Sequence, residues 1–268
     1  MKNSEMRFVD IHSHIIAEID DGATSLADSL MMIKQAFESG TRYIVATPHV
    51  IWHEHQPQWS DICDKCQKLN ELLNSEGMDI TVVPGAEVAL APELLDKIKP
   101  GEYCLNHGKY MLVELPMLQM PQYAEAVIFG LQTKGIRPIM AHPERYPDVI
   151  KNPELVLEWL HKGLLLQVNS KSITGLFGPE VQKCVLALLH NRVVSFVASD
   201  AHSPGGRNTK LSGAYELVAE QYGADYAEQI FVTNPHAVLD SKNVSVVKPE
   251  SFIAPRKRSF FARLFGGK

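Results

Sequence analysis

The chain has 268 residues, 45% of them hydrophobic and 21% charged, with a mean hydropathy of -0.09. That apolar content can fill a core, which excludes disorder as the main theme, and no run of about 18 uncharged apolar residues exists to cross a membrane as a helix. The net charge of -5 joins a body of 21 basic and 31 acidic residues to a stretch at 255–268 with five basic residues and no acid. An acidic body offers nucleic acid no broad phosphate-binding surface. The opening residues, MKNSEMRFVDIHSH, hold no apolar stretch of signal-peptide length, so the cytoplasm is the expected compartment. Four cysteines (Cys63, Cys66, Cys104, Cys184) are too few for a disulfide scaffold and suit a reducing environment.

Apolar runs bounded by turn residues predict buried strands at 8–11, 43–46, 80–83, 110–113, 138–140, 164–168 and 193–197. Between the first two, Ser25-Leu26-Ala27-Asp28 resembles a capping box with Asp in place of Glu. Leu30, Ile33, Ala36 and Phe37 follow at helical spacing, and Gly40 is the stop. Further helices are predicted at about 59–76, 122–134, 153–161, 179–190 and 211–222. Strand-helix alternation with short connections implies a parallel sheet covered by helices. Seven such units suit one closed or nearly closed barrel better than two domains. The pattern fades after Asp240, so the expected division is a barrel at 1–240 and an extension at 241–268.

The residues that follow the strands carry the functional signal. Strand one runs into Asp10-Ile11-His12-Ser13-His14, with Asp20-Asp21-Gly22 next; strand two ends in Thr47-Pro48-His49. Strands three to five deliver Pro84-Gly85-Ala86-Glu87, Glu114-Leu115-Pro116 and Ala141-His142-Pro143-Glu144-Arg145. Strand six gives Asn169-Ser170, and strand seven Ser199-Asp200-Ala201-His202. In a parallel barrel these ends converge on one face, where active sites of that architecture lie. Histidines and carboxylates crowded at one mouth are costly unless paired, and divalent cations, whose natural ligands they are, remove the cost. Both rings of a His-x-His pair on extended chain can reach one ion, and Glu87 has two oxygens with which to bridge two. The number of candidates exceeds what one tetrahedral zinc needs, which implies two or three ions. Any single histidine here is more often solvated or hydrogen-bonded than a ligand; the agreement among strand ends is what tips the balance.

Other signals are weaker. His53, His55, His107, His161, His190 and His236 fall outside the pattern and read as mostly solvated. Cys63-Asp64-Lys65-Cys66 lies inside a helical pattern with no second pair, and reads as structural. Phosphate-cradling glycine loops are absent, as is a cysteine-nucleophile phosphatase loop. Arg145 and Arg207 lie within five residues of a proposed ligand. Each is suited equally to clamping a phosphate and to a salt bridge on the barrel rim.

The ordered set DIHSHI, DDGA, ATPHV, PGAEV, VELP, AHPERY, QVNS and SDAHSPGGR, spanning about 7–240, resembles the PHP superfamily of metal-dependent phosphoesterases. Within it, the set is similar to the bacterial tyrosine phosphatases of capsule and exopolysaccharide loci. The resemblance implies a distorted (β/α)7 barrel with a trinuclear site, usually filled by manganese, although the ligand mix accepts iron or zinc. It implies metal ligands at His12, His14, Asp21, His49, Glu87, Glu114, His142, Asp200 and His202, and phosphate-binding roles for Arg145 and Arg207. The implied substrate is phosphotyrosine in the tyrosine-rich tail of a membrane-associated bacterial tyrosine kinase. One departure is IIAEIDDGA, where many relatives carry a proline-glycine pair before the aspartates; Asp21 keeps its spacing from His14.

On this reading two ions bring a shared water towards neutral pKa, giving hydroxide in line with phosphorus, while the arginines and metals hold the equatorial oxygens. Asp200 or a metal-bound water supplies the proton to the leaving tyrosine. Two rivals stand beside this expectation: a phosphatase of a small molecule such as histidinol phosphate, and a non-catalytic module that docks to a kinase. The stretch RKRSFFARLFGGK interleaves basic and aromatic residues. It fits an anionic membrane surface, a protein partner, packing on the barrel or a loose end.

Overall fold

The computed structural model describes residues 7–115 and 120–253. Its strands, in chain order, are β1 (Phe8–Ser13), β2 (Thr41–Ala46), β3 (His49–Val50), β4 (Thr81–Pro84), β5 (Glu87–Ala89), β6 (Tyr110–Glu114), β7 (Arg137–Ala141), β8 (Leu165–Asn169) and β9 (Phe196–Ala198). All pairings are parallel; one sheet has the order β1-β2-β4 and the other β3-β5-β6-β7-β8-β9. β2 with β3, and β4 with β5, are two staves each broken in the middle. Seven staves result, linked into a distorted barrel. The two ends of the series meet where Asp200 N donates to His12 O (2.9 Å) and His14 N donates to Ala201 O (2.8 Å).

The broken staves refine the expectation of seven plain strands. Pro48 has no N–H to offer a ladder, although its carbonyl accepts from Glu87 N at 3.1 Å. At Gly85 the backbone runs so close to its neighbours that a Cβ would lie 2.7 Å from Val45 Cγ1 and 2.8 Å from Leu105 Cδ2. The last strand starts later than its apolar run suggests. At Ser195 the side-chain hydroxyl, rather than a backbone carbonyl, accepts from Leu166 N at 3.2 Å, so regular pairing begins at Phe196.

Helices cover the outside. The helix Leu26–Glu38 is capped by Ser25, whose hydroxyl accepts from Asp28 N at 3.2 Å. Asp28 does not close a capping box; its carboxylate accepts from the Thr24 hydroxyl at 2.5 Å. Cys63 and Cys66 lie in the helix Trp59–Ser75, in keeping with the helical pattern around them, and all four cysteines are free thiols. The remaining long helices are Ala124–Thr133, Pro179–His190 and Ser212–Tyr222. The segment expected to be one helix at 153–161 is a 3-10 turn, Pro153–Leu155, followed by the short helix Val156–His161.

Inside the barrel, Val9, Ile11, Val45, Val83, Tyr110, Leu112, Ile139, Leu165 and Phe196 form one apolar cluster. Val238 and Val244 close it from below, and the Tyr110 hydroxyl donates to Lys242 O at 2.6 Å. A second cluster fills the space between the larger sheet and its helices. Side chains on one strand face alternate with period two. On β8 the inward series is therefore Leu165, Gln167, Asn169, apolar at the floor and polar at the mouth. β6 climbs likewise from Tyr110 and Leu112 to Glu114.

Candidate metal centre

The mouth gathers the residues that end the staves. His12 and His14 extend from β1, whose pairing with β2 slips between Asp10 and Ser13. His49 begins β3, Glu87 begins β5, and Glu114 ends β6. His142 follows β7, and Asp200 and His202 follow β9. Asp21 comes from the loop after β1, which folds back over the site. Gly22 permits that fold, because a Cβ there would sit 2.1 Å from His14 O. His142 and Asp200 adopt left-handed backbone conformations (φ 34° and 49°). Such strain in non-glycine residues persists only where surrounding structure enforces it, and it clusters at functional sites.

Glu87 is the hub. One oxygen, Oε1, lies 2.9 Å from His142 Nε2, while Oε2 lies 3.1 Å from His49 Nδ1, 3.2 Å from His12 Nε2 and 3.4 Å from His14 Nε2. Asp200 Oδ1 faces His12, His14 and His202 at 3.5, 3.6 and 3.4 Å. Asp21 Oδ1 faces His202 Nε2 at 3.3 Å and His49 Nε2 at 3.4 Å. Glu114 approaches His49 at 3.6 Å and His142 at 3.8 Å. A second set of contacts fixes the rings. His12 Nδ1 bonds Gln167 Oε1 at 2.9 Å, His14 Nδ1 bonds Asp20 Oδ2 at 2.7 Å, and His202 Nδ1 bonds Asp200 O at 3.1 Å. Each acceptor oxygen favours a proton on Nδ1, so that Nε2 is the nitrogen each ring would offer to a cation at the centre.

Charge is divided unevenly among these groups. Burial opposes a charged His14, yet its bond to Asp20 and the Glu87 carboxylate outweigh that and carry it up to about 10. His202 is driven down to about 3 by burial and by charge on His14. Burial, then the neighbouring Glu87 carboxylate, pushes Glu114 up to about 9. Burial would raise Asp20, but its bond to His14 holds it near 2. Asp200 is also held well below the usual carboxylate range, because His12, His142 and Arg207 overcome its burial. Neighbours of one type are forced in opposite directions because burial and the charges of adjacent groups compete within one cluster.

The donor set fits divalent cations. His12 Nε2 and His14 Nε2 face one another at 3.2 Å, and Glu87 Oε2, His49 Nδ1 and His142 Nδ1 are buried without a hydrogen-bond partner. Three groups have ligand atoms mutually within 4.8 Å: His14, Asp21, His49 and His202; His12, His14 and Asp200; His49, Glu87 and Glu114. Imidazole with carboxylate suits manganese, iron or zinc.

Both arginines border this cluster and end on one carboxylate. Arg145 Nη1 donates to Asp200 Oδ2 at 3.0 Å, and Arg207 Nη2 donates to Asp200 Oδ1 at 2.9 Å. Asn169 Nδ2 also donates to Oδ2, at 2.6 Å. The Phe177 ring lies beside both guanidinium groups, 4.9 Å from Arg145 and 6.0 Å from Arg207. Above the cluster opens a recess of about 650 Å³ lined by Glu18, Ile19, Asp20, Asp21, His49, Ile51, His55 and Glu114.

Residues 8–240 match the family model described as capsular polysaccharide synthesis, CpsB/CapC. The chain belongs to the CpsB/CapC family. It is 32% identical over 253 residues to tyrosine-protein phosphatase YwqE of Bacillus subtilis, covering 94% of this chain and 98% of the relative. It is 33% identical to the putative tyrosine-protein phosphatase CapC of Staphylococcus aureus, over 88% and 93% of the two chains. Tyrosine-protein phosphatase CpsB of Streptococcus pneumoniae is 29% identical over 86% of this chain and 98% of its own. A solved structure reported with YwqE and CpsB as unique metal-dependent tyrosine phosphatases superposes with a TM-score of 0.86 at 32% identity, covering 92% of this chain and 100% of that one. A zinc-bound histidinol phosphate phosphatase from Lactococcus lactis shares the fold, at a TM-score of 0.53 and 13% identity, over 79% and 93% of the two chains.

The structure brings all nine residues implied by the resemblance into this one cluster, with both arginines at its edge. Of the histidines set aside, His53, His107 and His161 are exposed, whereas His55 lines the recess. The groups behind the cluster to which the sequence assigns no role are Asp20 and Asn169, both named at strand ends, and Gln167, which it does not single out. Asp20 was visible as the other half of Asp20-Asp21, and Gln167 and Asn169 as alternate polar residues at the end of an apolar strand. Phe177 carried no signal in sequence. Glu144, also at a strand end, is turned away and fully buried, accepting from Asn169 N at 2.8 Å and from the Ser172 hydroxyl at 2.6 Å.

Proposed function

We propose that this chain is a metal-dependent protein-tyrosine phosphatase. The observation that carries the proposal is the meeting of nine His, Asp and Glu side chains with two arginines beneath an open recess. His12, His14, Asp21, His49, Glu87, Glu114, His142, Asp200 and His202 hold two or three divalent ions, with manganese the metal we assign. Bound there, such ions polarise a phosphoryl group and bring the pKa of water towards neutrality.

The chain's own residues do the rest. Arg145 and Arg207 exchange Asp200 for the equatorial phosphoryl oxygens, where the transition state spreads its charge. Their planar forks suit that geometry, and Phe177 limits how far either can swing. Asp200 keeps both carboxylate oxygens engaged by Arg145, Arg207 and Asn169, so it orients the arginines and holds no proton in this state. Tyrosine, with a parent pKa of about 10, is a fair leaving group and needs less help from a general acid than an alkyl alcohol. Ile19 and Ile51 on the recess wall give its ring an apolar seat.

The family's place in capsular polysaccharide synthesis and the relatives' naming as tyrosine-protein phosphatases support a protein substrate. We assign it as the tyrosine-rich tail of a membrane-associated bacterial tyrosine kinase, met at the cytoplasmic face of the membrane. Among the described residues no helix is long and apolar enough to cross a membrane. The family match ends at residue 240, which supports a catalytic barrel at 1–240 and an extension at 241–268 whose first residues, through Val244 and the Lys242 carbonyl, close the barrel floor. The basic-aromatic stretch of that extension lies outside the described residues. The test is phosphate release by chelator-treated protein, with and without added Mn²⁺, from a phosphotyrosyl peptide and from histidinol phosphate. Metal-dependent turnover of the peptide alone is expected. Turnover of histidinol phosphate alone would replace the substrate, and silence on both with metal bound would favour a docking module.

A further inference from the structure

We propose that a groove beside the catalytic recess is a docking site for the acidic peptide segment that flanks the phosphotyrosine of the substrate. The proposal rests on the phosphatase reading above. The groove has a volume of about 470 Å³ and runs between the helices Leu26–Glu38 and Trp59–Ser75. Ile16, Leu26, Leu69 and Leu72 form its apolar floor and walls, and Lys65 and Lys68 stand over it.

Three observations point to a ligand of this kind. First, Glu18 lines both the groove and the recess over the metal centre. An extended chain whose phosphotyrosine enters the recess therefore continues into the groove across Glu18. Second, the groove sets two lysines against the single carboxylate of Glu18, on a body that is acidic as a whole. Lys65 Nζ donates to Ala17 O at 3.3 Å, and neither Lys65 nor Lys68 forms an ion pair among the described residues. Third, the lining is unfinished. Ser29 is fully buried there, yet its hydroxyl has no hydrogen-bond partner, while Leu26 and Leu72 are 50% and 38% exposed. A peptide backbone satisfies a hydroxyl, aliphatic side chains cover leucines, and carboxylates answer two lysines.

The arrangement also has a direction. Glu18 at the junction repels an acidic residue immediately beside the phosphotyrosine, and the lysines attract one further along. Inorganic phosphate or a small aryl phosphate fills the recess without touching the groove. The groove therefore contributes to the recognition of protein substrates alone.

The experiment uses the full chain loaded with Mn²⁺ and three probes. These are a phosphotyrosyl peptide with glutamates beyond the first flanking position, the same peptide with glutamines there, and para-nitrophenyl phosphate. The wild-type protein is expected to prefer the glutamate peptide through a lower KM, and to lose that preference in high salt. Reversing two surface charges in K65E/K68E should lower kcat/KM for the glutamate peptide about tenfold. Turnover of para-nitrophenyl phosphate should stay within about twofold, in line with contacts the small probe never makes. The single variant K68E, at an exposed position, should show a smaller loss of the same kind. Equal kcat/KM for the two peptides with wild-type protein overturns the groove while leaving the phosphatase reading intact. So does an equal loss for all three probes in the variants. Absence of turnover of every probe by metal-loaded wild-type protein overturns the phosphatase reading, and the docking site with it.

Discussion

His12, His14, Glu87 and Asp200 make up a closed wall of the proposed metal centre, with side chains at most 2% exposed. Three of the four are tied from behind, by Gln167, Asp20 and Asn169. Asp21 and Glu114 lie on the opposite, open wall, 65% and 15% exposed, and their contacts are to histidines of the cluster itself. The difference separates two tasks. Ligands that cannot relax fix where a cation sits and keep its cost of assembly low, because rotamers and tautomers are set before it binds. Ligands facing water can exchange, which is what a site must allow when substrate enters from that side.

Substitutions on the two walls should therefore behave differently. His14→Ala removes a residue that belongs to two of the three donor groups. Metal content and turnover should fall together, by more than the 10- to 100-fold typical of losing an outer partner; atomic mass spectrometry beside a phosphate-release assay reads both. Asp20→Asn keeps the shape but weakens the bond that fixes His14, and should cost about 10- to 100-fold in metal affinity. The adjacent Asp21→Asn acts on the open wall, where water can take the place of the lost oxygen, and should cost less than Asp20→Asn, lowering occupancy of a single ion in a metal titration. If Asp20→Asn proves harmless and Asp21→Asn severe, the contrast between the walls is wrong.

The arginines sharpen the comparison from outside the cluster. Arg145→Ala should leave metal content near wild type and raise KM for a phosphotyrosyl peptide, with about 100-fold lost in kcat/KM when one oxyanion donor goes. An arginine variant that also empties the metal centre would break the division of labour. Phe177→Leu should have the smallest effect, about a two- to fivefold rise in KM with kcat unchanged, since a part-exposed cation–π contact is worth about 0.5–1 kcal/mol. Phe177→Tyr should restore it, which a purely structural role would not require.

Much of the site was legible because its chemistry is local to strand ends. His12-Ser13-His14, Pro48-His49 and Asp200-Ala201-His202 put ligand-type residues where apolar runs stop, and a parallel barrel has only one face on which such ends meet. The broken staves were not legible, because the break at Gly85 depends on Val45 and Leu105 coming close in space. Asn169 stands out only as a strand-end residue without a role, and Gln167 reads as an ordinary polar residue until the inward face of β8 is known. Phe177 stands far along the chain from both arginines, and only the turn after β8 brings the three together. The groove under Lys65 and Lys68 belongs to neither helix alone, so no pattern within one segment announces it.

The central claim is that the nine-residue cluster works as a metal centre for phosphotyrosine hydrolysis. Its most direct test measures metal content per chain and phosphate release from a phosphotyrosyl peptide on the same samples as Mn²⁺ is titrated into chelator-treated protein. The account predicts no turnover in the stripped protein and recovery that tracks the filling of two or three ions per chain. Full turnover in the stripped protein, or turnover that saturates before any ion is bound, would contradict it.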